Sequence, residues 1–236
     1  MTLREGCLGK RGRNRPAGGP TKGRKSRQAI VARATRLAAS EGLEAISIGR
    51  LAKDLHMSKS GLFVHFGSKE KLQLAVIAEA GEIFFGQVLD PAEYEVAAGI
   101  ERVWTLCDCW LEFVEHRVLP GGYFFTGALY LYAEQHSVVA ERIRDIANTW
   151  IKALRRAVDE ARHRLELRID TNAKRTAFEL NSLLLGVQWS RLLHHLDHSK
   201  ARAAILAKLK SLATDKIPAE AFESVMAWRH YLVTRD

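Results

Sequence analysis

The residues of this chain best suited to chemistry on a partner lie in one short segment of its first third. Lys59, Ser60 and His65 carry a cation, a hydroxyl and an imidazole, which are groups that contact phosphates and base edges. Phe63 and Val64 supply apolar surface beside them. If the segment is helical, these five side chains form a short outward face that fits a major groove about 12 Å wide. The spacing therefore predicts contact with a nucleic acid.

The element that must position this face is a pair of helices joined by a tight corner. The segment Leu51–Leu62 is typical of helix, short turn and helix, with the small Ala52 allowing the two helices to approach. Leu55, Met57 and Leu62 are expected to close the corner. Many helical hairpins share this pattern, so by itself it indicates a helix-turn-helix without proving one.

The whole chain is expected to be all-α. Hydrophobic residues make up 47% and charged residues 27% of the 236 residues, which argues against a fully disordered or fibrous chain. Only five prolines occur, and apolar residues recur at spacings of three and four, whereas sustained alternation and Asn-Gly turns are absent. The predicted helices after Pro91 cover about 93–116, 123–135, 137–167, 171–197, 199–213 and 219–233.

The first four helices are delimited by their caps. Helix 1 is predicted from about Gly23 to Glu41 and is ended by Gly42, a residue suited to a left-handed conformation. Ser47, Ser58 and Ser68 are predicted to begin the next three helices, because a serine side chain accepts hydrogen bonds from the unpaired N–H groups of a first turn. Asp170 and Thr171 are predicted caps for the helix at 171–197.

Nearly all of the net charge of +9 lies at the start of the chain. Residues 1–28 hold nine Lys or Arg residues against Glu5 alone. Residues 1–22 lack apolar periodicity and are predicted to be a disordered basic tail. A polyanion is the natural partner of such a tail, and a passenger leader without function is the open alternative.

Membrane and export classes are not favoured. The longest uncharged stretch, Val118–Ala133, is shorter than a membrane span and contains Pro-Gly-Gly. Cys7, Cys107 and Cys109 cannot all pair within one chain, which favours a reducing compartment. We therefore expect a cytoplasmic protein without a membrane partner.

Residues 27–80 resemble the DNA-binding domain of the TetR family of transcriptional regulators. The stretch from Arg27 to Gly42 is similar to the family's first helix, and Ser47-Ile48 with Leu51-Ala52 is similar to its second. Met57–Leu72 resembles the recognition helix and the start of the fourth helix almost position by position.

This resemblance implies a homodimer that reads a palindromic double-stranded operator. It implies a helix-turn-helix domain over 23–72 and a larger helical ligand-binding and dimerisation domain over 73–236. A repressor released from its operator by a small molecule of unknown identity is the expected function, although the sequence alone does not separate repressor from activator. The implied DNA contacts are Arg24, Lys25, Arg27, Ser47, Ser58, Lys59, Ser60, Gly61, Phe63, Val64, His65 and Lys69.

Three positions depart from the family pattern. Phe63 stands where a Tyr is frequent, which removes one hydroxyl that would donate to a phosphate. His56 occupies a turn position that usually holds Gly, at a steric cost if its φ is positive. Gly49 lies inside the second helix, where it costs roughly 0.5 to 1 kcal/mol relative to Ala; close approach to DNA and neutral tolerance both explain it.

Aromatic residues at helical spacing populate the second region, and most such stripes are simply core. A TetR-like ligand pocket is lined by residues of this kind. The candidates for that pocket are Trp104, Cys107, Trp110, Phe124, Trp150 and Trp189.

Other functions find less support. His194, His195 and His198 suggest a metal site, because His194 and His198 share a helix face, but no carboxylate or cysteine has a clear spacing as a third ligand, so no metal or cofactor is expected. Neither a phosphate loop nor a nucleophile motif occurs, which leaves a helical enzyme as a weak alternative. A sequence-indifferent nucleic-acid binder acting through the basic tail is the other alternative.

Overall fold

The computed structural model describes residues 22–120, 124–192 and 198–234, and within these ranges all the regular secondary structure is helical apart from one isolated antiparallel bridge between Leu167 and Ala213. The all-α prediction is confirmed. The predicted tail lies outside the described residues except for Lys22, with which the first helix begins. The helices are α1 Lys22–Glu41, α2 Ile48–Asp54, α3 Lys59–Phe66, α4 Lys69–Phe84, α5 Asp90–Tyr94, α6 Ile100–Glu115, α7 Phe124–Tyr132, α8 Val138–His163, α9 Ala173–Leu192, α10 His198–Leu212 and α11 Val225–Thr234.

The described residues form two compact units. We call residues 22–85 with 117–147 the reader unit, and residues 86–116 with 148–234 the effector unit. The predicted domain boundary after residue 72 falls within α4 and stays a prediction.

In the reader unit, α1 packs along α4, and α2 and α3 close the helix-turn-helix. The inner face of α1 is buried and includes Ile30, Ala34 and Leu37. Gly42 directly follows the last residue of α1, and its φ of 92° is positive as expected, but its ψ of 158° is not that of the left-handed helical conformation. A 3₁₀ turn at Leu43–Ala45 then leads to α2. This local order positions α3 on the surface of the unit.

A π-helical turn at Phe85–Leu89 leads directly into α5, and Pro91 occupies the first turn of that helix. Proline has no N–H to donate to a preceding carbonyl, and a local change of helical pitch is a common way to accommodate it.

By length and composition, the helical stretch Lys69–Tyr94 is apolar enough to cross a membrane, and 44% of its most apolar window is buried. One such helix is weak evidence for a membrane span, because core helices of soluble proteins pass the same test.

In the effector unit, α6 is buried along most of its length and packs against α9 and α10. Its predicted start at residue 93 is wrong, because Gly99 has a φ of 115° and the Ile100 N–H donates to the buried Glu166 carboxylate at 2.7 Å. The predicted helix at 137–167 ends earlier, at His163, since Leu165 has a φ of 58°.

Two further helix boundaries differ from the prediction. Asn172, rather than Asp170 or Thr171, caps α9 by accepting a hydrogen bond from the Arg175 N–H at 3.0 Å. The predicted helix at 219–233 divides into a 3₁₀ turn at Ala219–Phe222 and α11. The predicted continuation of α9 to residue 197 lies outside the described residues.

Candidate nucleic-acid interface and ligand region

The corner between α2 and α3 is built by local hydrogen bonds and a left-handed residue. Leu51 and Ala52 are buried, and the Met57 N–H donates to the Ala52 carbonyl at 2.9 Å. His56 has a φ of 52°, so the condition for a steric cost at this position is met. The corner allows α3 to leave α2 with its outer face exposed.

Helix α3 begins at a serine cap and presents a mixed face to solvent. The Ser58 Oγ atom accepts from the Gly61 N–H at 3.0 Å, and Gly67 ends the helix with a φ of 72°. Leu62 and Phe66 are buried and fasten the helix to the unit. The residues predicted to face outward are exposed or half-buried, namely Lys59, Ser60, Phe63, Val64 and His65. Phe63 and Val64 are 51% and 83% exposed, and apolar side chains at such positions suit the methyl group of thymine.

Glycines in this motif make room for specific neighbours. A β-carbon at Gly61 would lie 2.9 Å from the Ser58 Oγ atom, so the absence of a side chain keeps the cap accessible. At Gly49 a β-carbon would lie 3.4 Å from the Lys59 Cε atom. The Gly49 position therefore lies under the stem of a predicted DNA-contact residue, which the sequence did not indicate.

The basic residues at the start of α1 lie near the same motif. Arg24, Lys25 and Arg27 are exposed. The Arg27 guanidinium lies 5.0 Å from the centroid of the Phe66 ring, a cation–π distance that holds it beside the end of α3.

The serine hydroxyls that cap helices can also donate a hydrogen bond to a second partner. Ser47 accepts from the Arg50 N–H at 3.2 Å, and the predicted cap at Ser68 accepts from the Lys71 N–H at 3.1 Å. A hydroxyl that accepts a cap hydrogen bond keeps its own hydrogen to donate. Ser47 thus caps its helix and can still donate to a phosphate, whereas the Ser58 Oγ atom lies 3.2 Å from the Ser60 Oγ atom, and either hydroxyl can donate in that contact.

Lys69 is engaged by a neighbour that the sequence analysis did not identify. Its Nζ atom donates to the Glu44 carboxylate at 2.7 Å and lies 3.3 Å from the Glu44 carbonyl. The hydrogen bonds from Lys69 and from the Tyr132 hydroxyl hold the pKa of Glu44 below its ordinary value. No sequence pattern links Glu44 to Tyr132, which are separated by 88 positions.

The six residues considered for a ligand pocket lie in different surroundings. On α6, Trp104 is buried with its ring 6.0 Å from that of Trp228, and Cys107 is a buried free thiol whose pKa is raised by burial. Trp110 is also buried on α6. The Trp150 Nε1–H donates to Asn181 Oδ1 at 2.9 Å.

The other two candidates differ from this group. Phe124 belongs to the reader unit, where it packs edge-on against Phe125 with ring centroids 5.0 Å apart. Trp189 is 70% exposed on α9. Spacing along the chain predicted neither difference.

An open cleft of about 450 Å³ lies in the effector unit, and none of the six pocket candidates lines it. Its lining is mainly polar and consists of Arg164, Glu166, Lys216, Ile217 and Tyr231. Of the histidines considered for a metal, His194 and His195 lie outside the described residues. The His198 Nδ1 atom is 3.8 Å from the Glu115 carboxylate.

Comparison with known protein families assigns both regions of the chain. A family profile described as bacterial regulatory proteins of the tetR family matches residues 30–76. A second profile, described as a tetracyclin repressor-like C-terminal domain, matches residues 99–206. No curated protein matches the chain significantly.

Solved structures share the fold at low sequence identity. A TetR-family regulator from Cytophaga hutchinsonii is 14% identical, with a TM-score of 0.71 over 84% of this chain and 99% of that one. A transcriptional regulator from Saccharomonospora viridis, solved with choline, is 18% identical, with a TM-score of 0.69 over 80% and 98%. AibR, solved with isovaleryl coenzyme A and operator DNA, is 22% identical, with a TM-score of 0.57 over 69% and 85%.

The two profiles occur in the order in which the helix-turn-helix and the larger helical region follow one another along this chain, and together they span roughly two thirds of it. The exposed helix α3, its serine cap and the helical fold agree with that assignment. The chain belongs to the TetR family of bacterial regulatory proteins and is a DNA-binding transcriptional regulator.

Proposed function

We propose that this protein is a repressor that binds a palindromic operator as a homodimer and is released by a small molecule. The observation that carries the proposal is the outer face of α3, where Lys59, Ser60 and His65 stand beside two exposed apolar residues. Leu62 and Phe66 hold the opposite side of the helix in the core. The protein acts as a binding module in the cytoplasm rather than as an enzyme.

The proposed contacts divide into two classes. The first class reaches base edges in the major groove, because its members lie on the exposed side of α3. It comprises Lys59, Ser60, Phe63, Val64 and His65. The second class fixes the register of the protein through phosphates, and hydroxyl, amide and cationic groups suit that purpose. It comprises Arg24, Lys25, Arg27, Ser47, Ser58, Gly61 and Lys69.

The proposed dimer forms through an exposed face of α9. Phe178 and Trp189 are each 70% exposed, and their separation of eleven residues places them on one side of the helix. Ser182 and the half-buried Leu185 lie between them on that side. Two-fold dimers bury the same patch of each subunit, and aromatic residues are enriched at interface cores.

The proposed effector is an apolar or amphipathic small molecule. AibR and the Saccharomonospora viridis regulator were solved with isovaleryl coenzyme A and choline, respectively, which supports a ligand-responsive role here. The proposed lining is drawn from the buried candidates of the effector unit, namely Trp104, Cys107, Trp110 and Trp150. Effector and operator are expected to weaken each other's binding by the same factor, typically about 5 to 150-fold.

Selection of bound sequences from a random pool of duplex DNA tests the DNA-binding part of the proposal. The selected site is expected to be palindromic and to bind at least about 1,000-fold tighter than a scrambled duplex. Lys59→Ala and His65→Ala are each expected to weaken that binding by about 1 to 3 kcal/mol while leaving the fold intact. Lys152→Ala, at an exposed lysine on α8, is the matched control.

Equal affinity for the selected and scrambled duplexes contradicts the proposal and favours a sequence-indifferent binder. Wild-type affinity in both α3 variants shows that another face docks on DNA. Screening metabolites for release of the selected duplex then identifies the effector class.

A further inference from the structure

Lys69 is one of the proposed phosphate contacts, yet in the structure its charge is already countered. Its Nζ atom lies 2.7 Å from Glu44 Oε2 and 3.3 Å from the Glu44 carbonyl oxygen. An ammonium group has three hydrogens, and these two oxygens occupy two of them. A phosphate that approaches Lys69 must therefore compete with the Glu44 carboxylate, which already binds the same ammonium group.

The carboxylate of Glu44 is held from its other side by two residues. The Tyr132 hydroxyl donates to Glu44 Oε1, and the Gln73 side-chain amide lies 3.2 Å from that oxygen and 3.2 Å from the Tyr132 hydroxyl oxygen. Tyr132 and Gln73 are buried, whereas the Glu44 side chain is 60% exposed. Without the two buried partners, this exposed side chain gains the freedom to leave Lys69.

Tyr132 is itself fixed, because its helix α7 contacts the reader helices at both ends. Near the start of α7, the Phe125 ring packs edge-on against Phe84 at the end of α4, with centroids 5.6 Å apart. At the other end, Tyr132 meets Gln73 near the start of α4. The position of α7 along α4 thus determines where the Glu44 carboxylate is held.

The electrostatic consequence concerns DNA directly. Lys69 and Tyr132 hold the pKa of Glu44 below its ordinary value, so the carboxylate is charged at neutral pH. A cation that is paired with a carboxylate releases less free energy on meeting a phosphate than a free cation does, since the pair must first be broken or shared.

We propose that Glu44 competes with a DNA phosphate for Lys69 and that Tyr132 is the positioning residue that keeps Glu44 in place. The inference rests on the proposed function, because it needs the α3 side of the reader unit to dock on DNA. It assigns to α7 a direct means of setting operator affinity: a shift of Tyr132 changes the charge available at Lys69.

The isosteric change Glu44→Gln tests the competition, because an amide can still accept from Tyr132 but does not neutralise Lys69. Operator affinity is expected to rise roughly 1.5- to fivefold. The slope of log affinity against log salt concentration is expected to steepen by roughly 0.9 for each phosphate gained. Glu70→Gln is the control, since Glu70 is the exposed acid next to Lys69 and makes no ion pair within the described ranges.

Tyr132→Phe tests the positioning role. Tyr132→Phe is expected to raise operator affinity by a smaller factor than Glu44→Gln does. It is expected to have no effect in a protein that already carries Lys69→Ala. Tyr130→Phe is its control, because Tyr130 lies on the same helix and is 84% exposed. Circular dichroism and thermal unfolding of every variant separate a change in binding from a loss of fold.

The proposal is supported if Glu44→Gln raises operator affinity by more than Glu70→Gln does and if this gain disappears in a protein that carries Lys69→Ala. Weaker binding by Glu44→Gln overturns it, because Glu44 then orders Lys69 for the phosphate. A Tyr132→Phe effect that persists without Lys69 overturns the role of Tyr132. If Glu44→Gln lowers stability, Glu44→Ala serves for the same comparison. Failure of the wild type to prefer the selected operator contradicts the proposed function instead, and is seen before any variant is compared.

Discussion

The stem of Lys59 lies over Gly49, with its Cε atom 3.4 Å from the place that a β-carbon at position 49 would occupy. This distance is an ordinary van der Waals contact, and the neighbouring atom is near the free end of a flexible side chain. Gly49, which lowers helix stability relative to alanine, therefore lies under Lys59, a residue proposed to contact base edges.

Gly49→Ala is expected to stabilise the protein by up to about 1 kcal/mol, because alanine loses less backbone entropy in a helix. Operator affinity is expected to fall by less than about threefold, since Lys59 adjusts only at its end. Urea unfolding and operator titration measure the two effects. Gly61→Ala is the contrasting variant: its β-carbon would lie 2.9 Å from the Ser58 Oγ atom, and loss of that cap costs about 1 kcal/mol. A lower urea midpoint for Gly49→Ala contradicts the prediction.

His56→Gly removes a side chain from a residue with a φ of 52°. Relief of up to about 1 kcal/mol of steric cost is expected, partly offset by the greater freedom of the unfolded chain. The melting temperature should stay constant or rise by a few degrees. Lys53→Gly, which places a glycine in the regular part of α2, is expected to lose about 1 kcal/mol. A clear fall in melting temperature for His56→Gly counts against the assignment.

Gly99→Ala is expected to destabilise the protein by at least about 2 kcal/mol, for two reasons. The φ of 115° strains any side chain, and the β-carbon would lie only 2.1 Å from the Glu166 carboxylate that accepts the Ile100 N–H. Gly127→Ala is the control, because nothing lies within 4 Å of its β-carbon position. Equal unfolding free energies for the two variants would refute this explanation of the start of α6.

Phe178→Glu and Trp189→Glu test the proposed dimer face on α9. Each change places a charge where about 1.5 to 3 kcal/mol of apolar burial is expected, so the dimer should dissociate at concentrations at least tenfold higher. Tyr94→Glu is the control, at an aromatic residue that is 80% exposed in the same unit. Sedimentation equilibrium measures the effect. Unchanged dimers together with a lost effector response would place Trp189 in the ligand site instead.

Features of the reader motif that depend on near neighbours were predictable from the sequence. Ser47, Ser58 and Ser68 cap their helices as expected, because a cap joins a side chain to an N–H three residues away. The buried positions Leu62 and Phe66 follow from helical periodicity. The resemblance to the family's turn also identified the position of His56, whose positive φ the structure confirms.

Contacts between residues that are far apart in the sequence depend on the tertiary structure and were not predictable from the sequence. Lys69 was predicted to contact DNA, but Glu44 already pairs with it, and Tyr132 contacts Glu44 from 88 positions away in the chain. The same holds for burial: Trp104 and Trp189 are both tryptophans at helical spacings, yet one is in the core and the other is 70% exposed. Periodicity determines which residues share a helix face, whereas only the packing of other helices determines whether that face is covered.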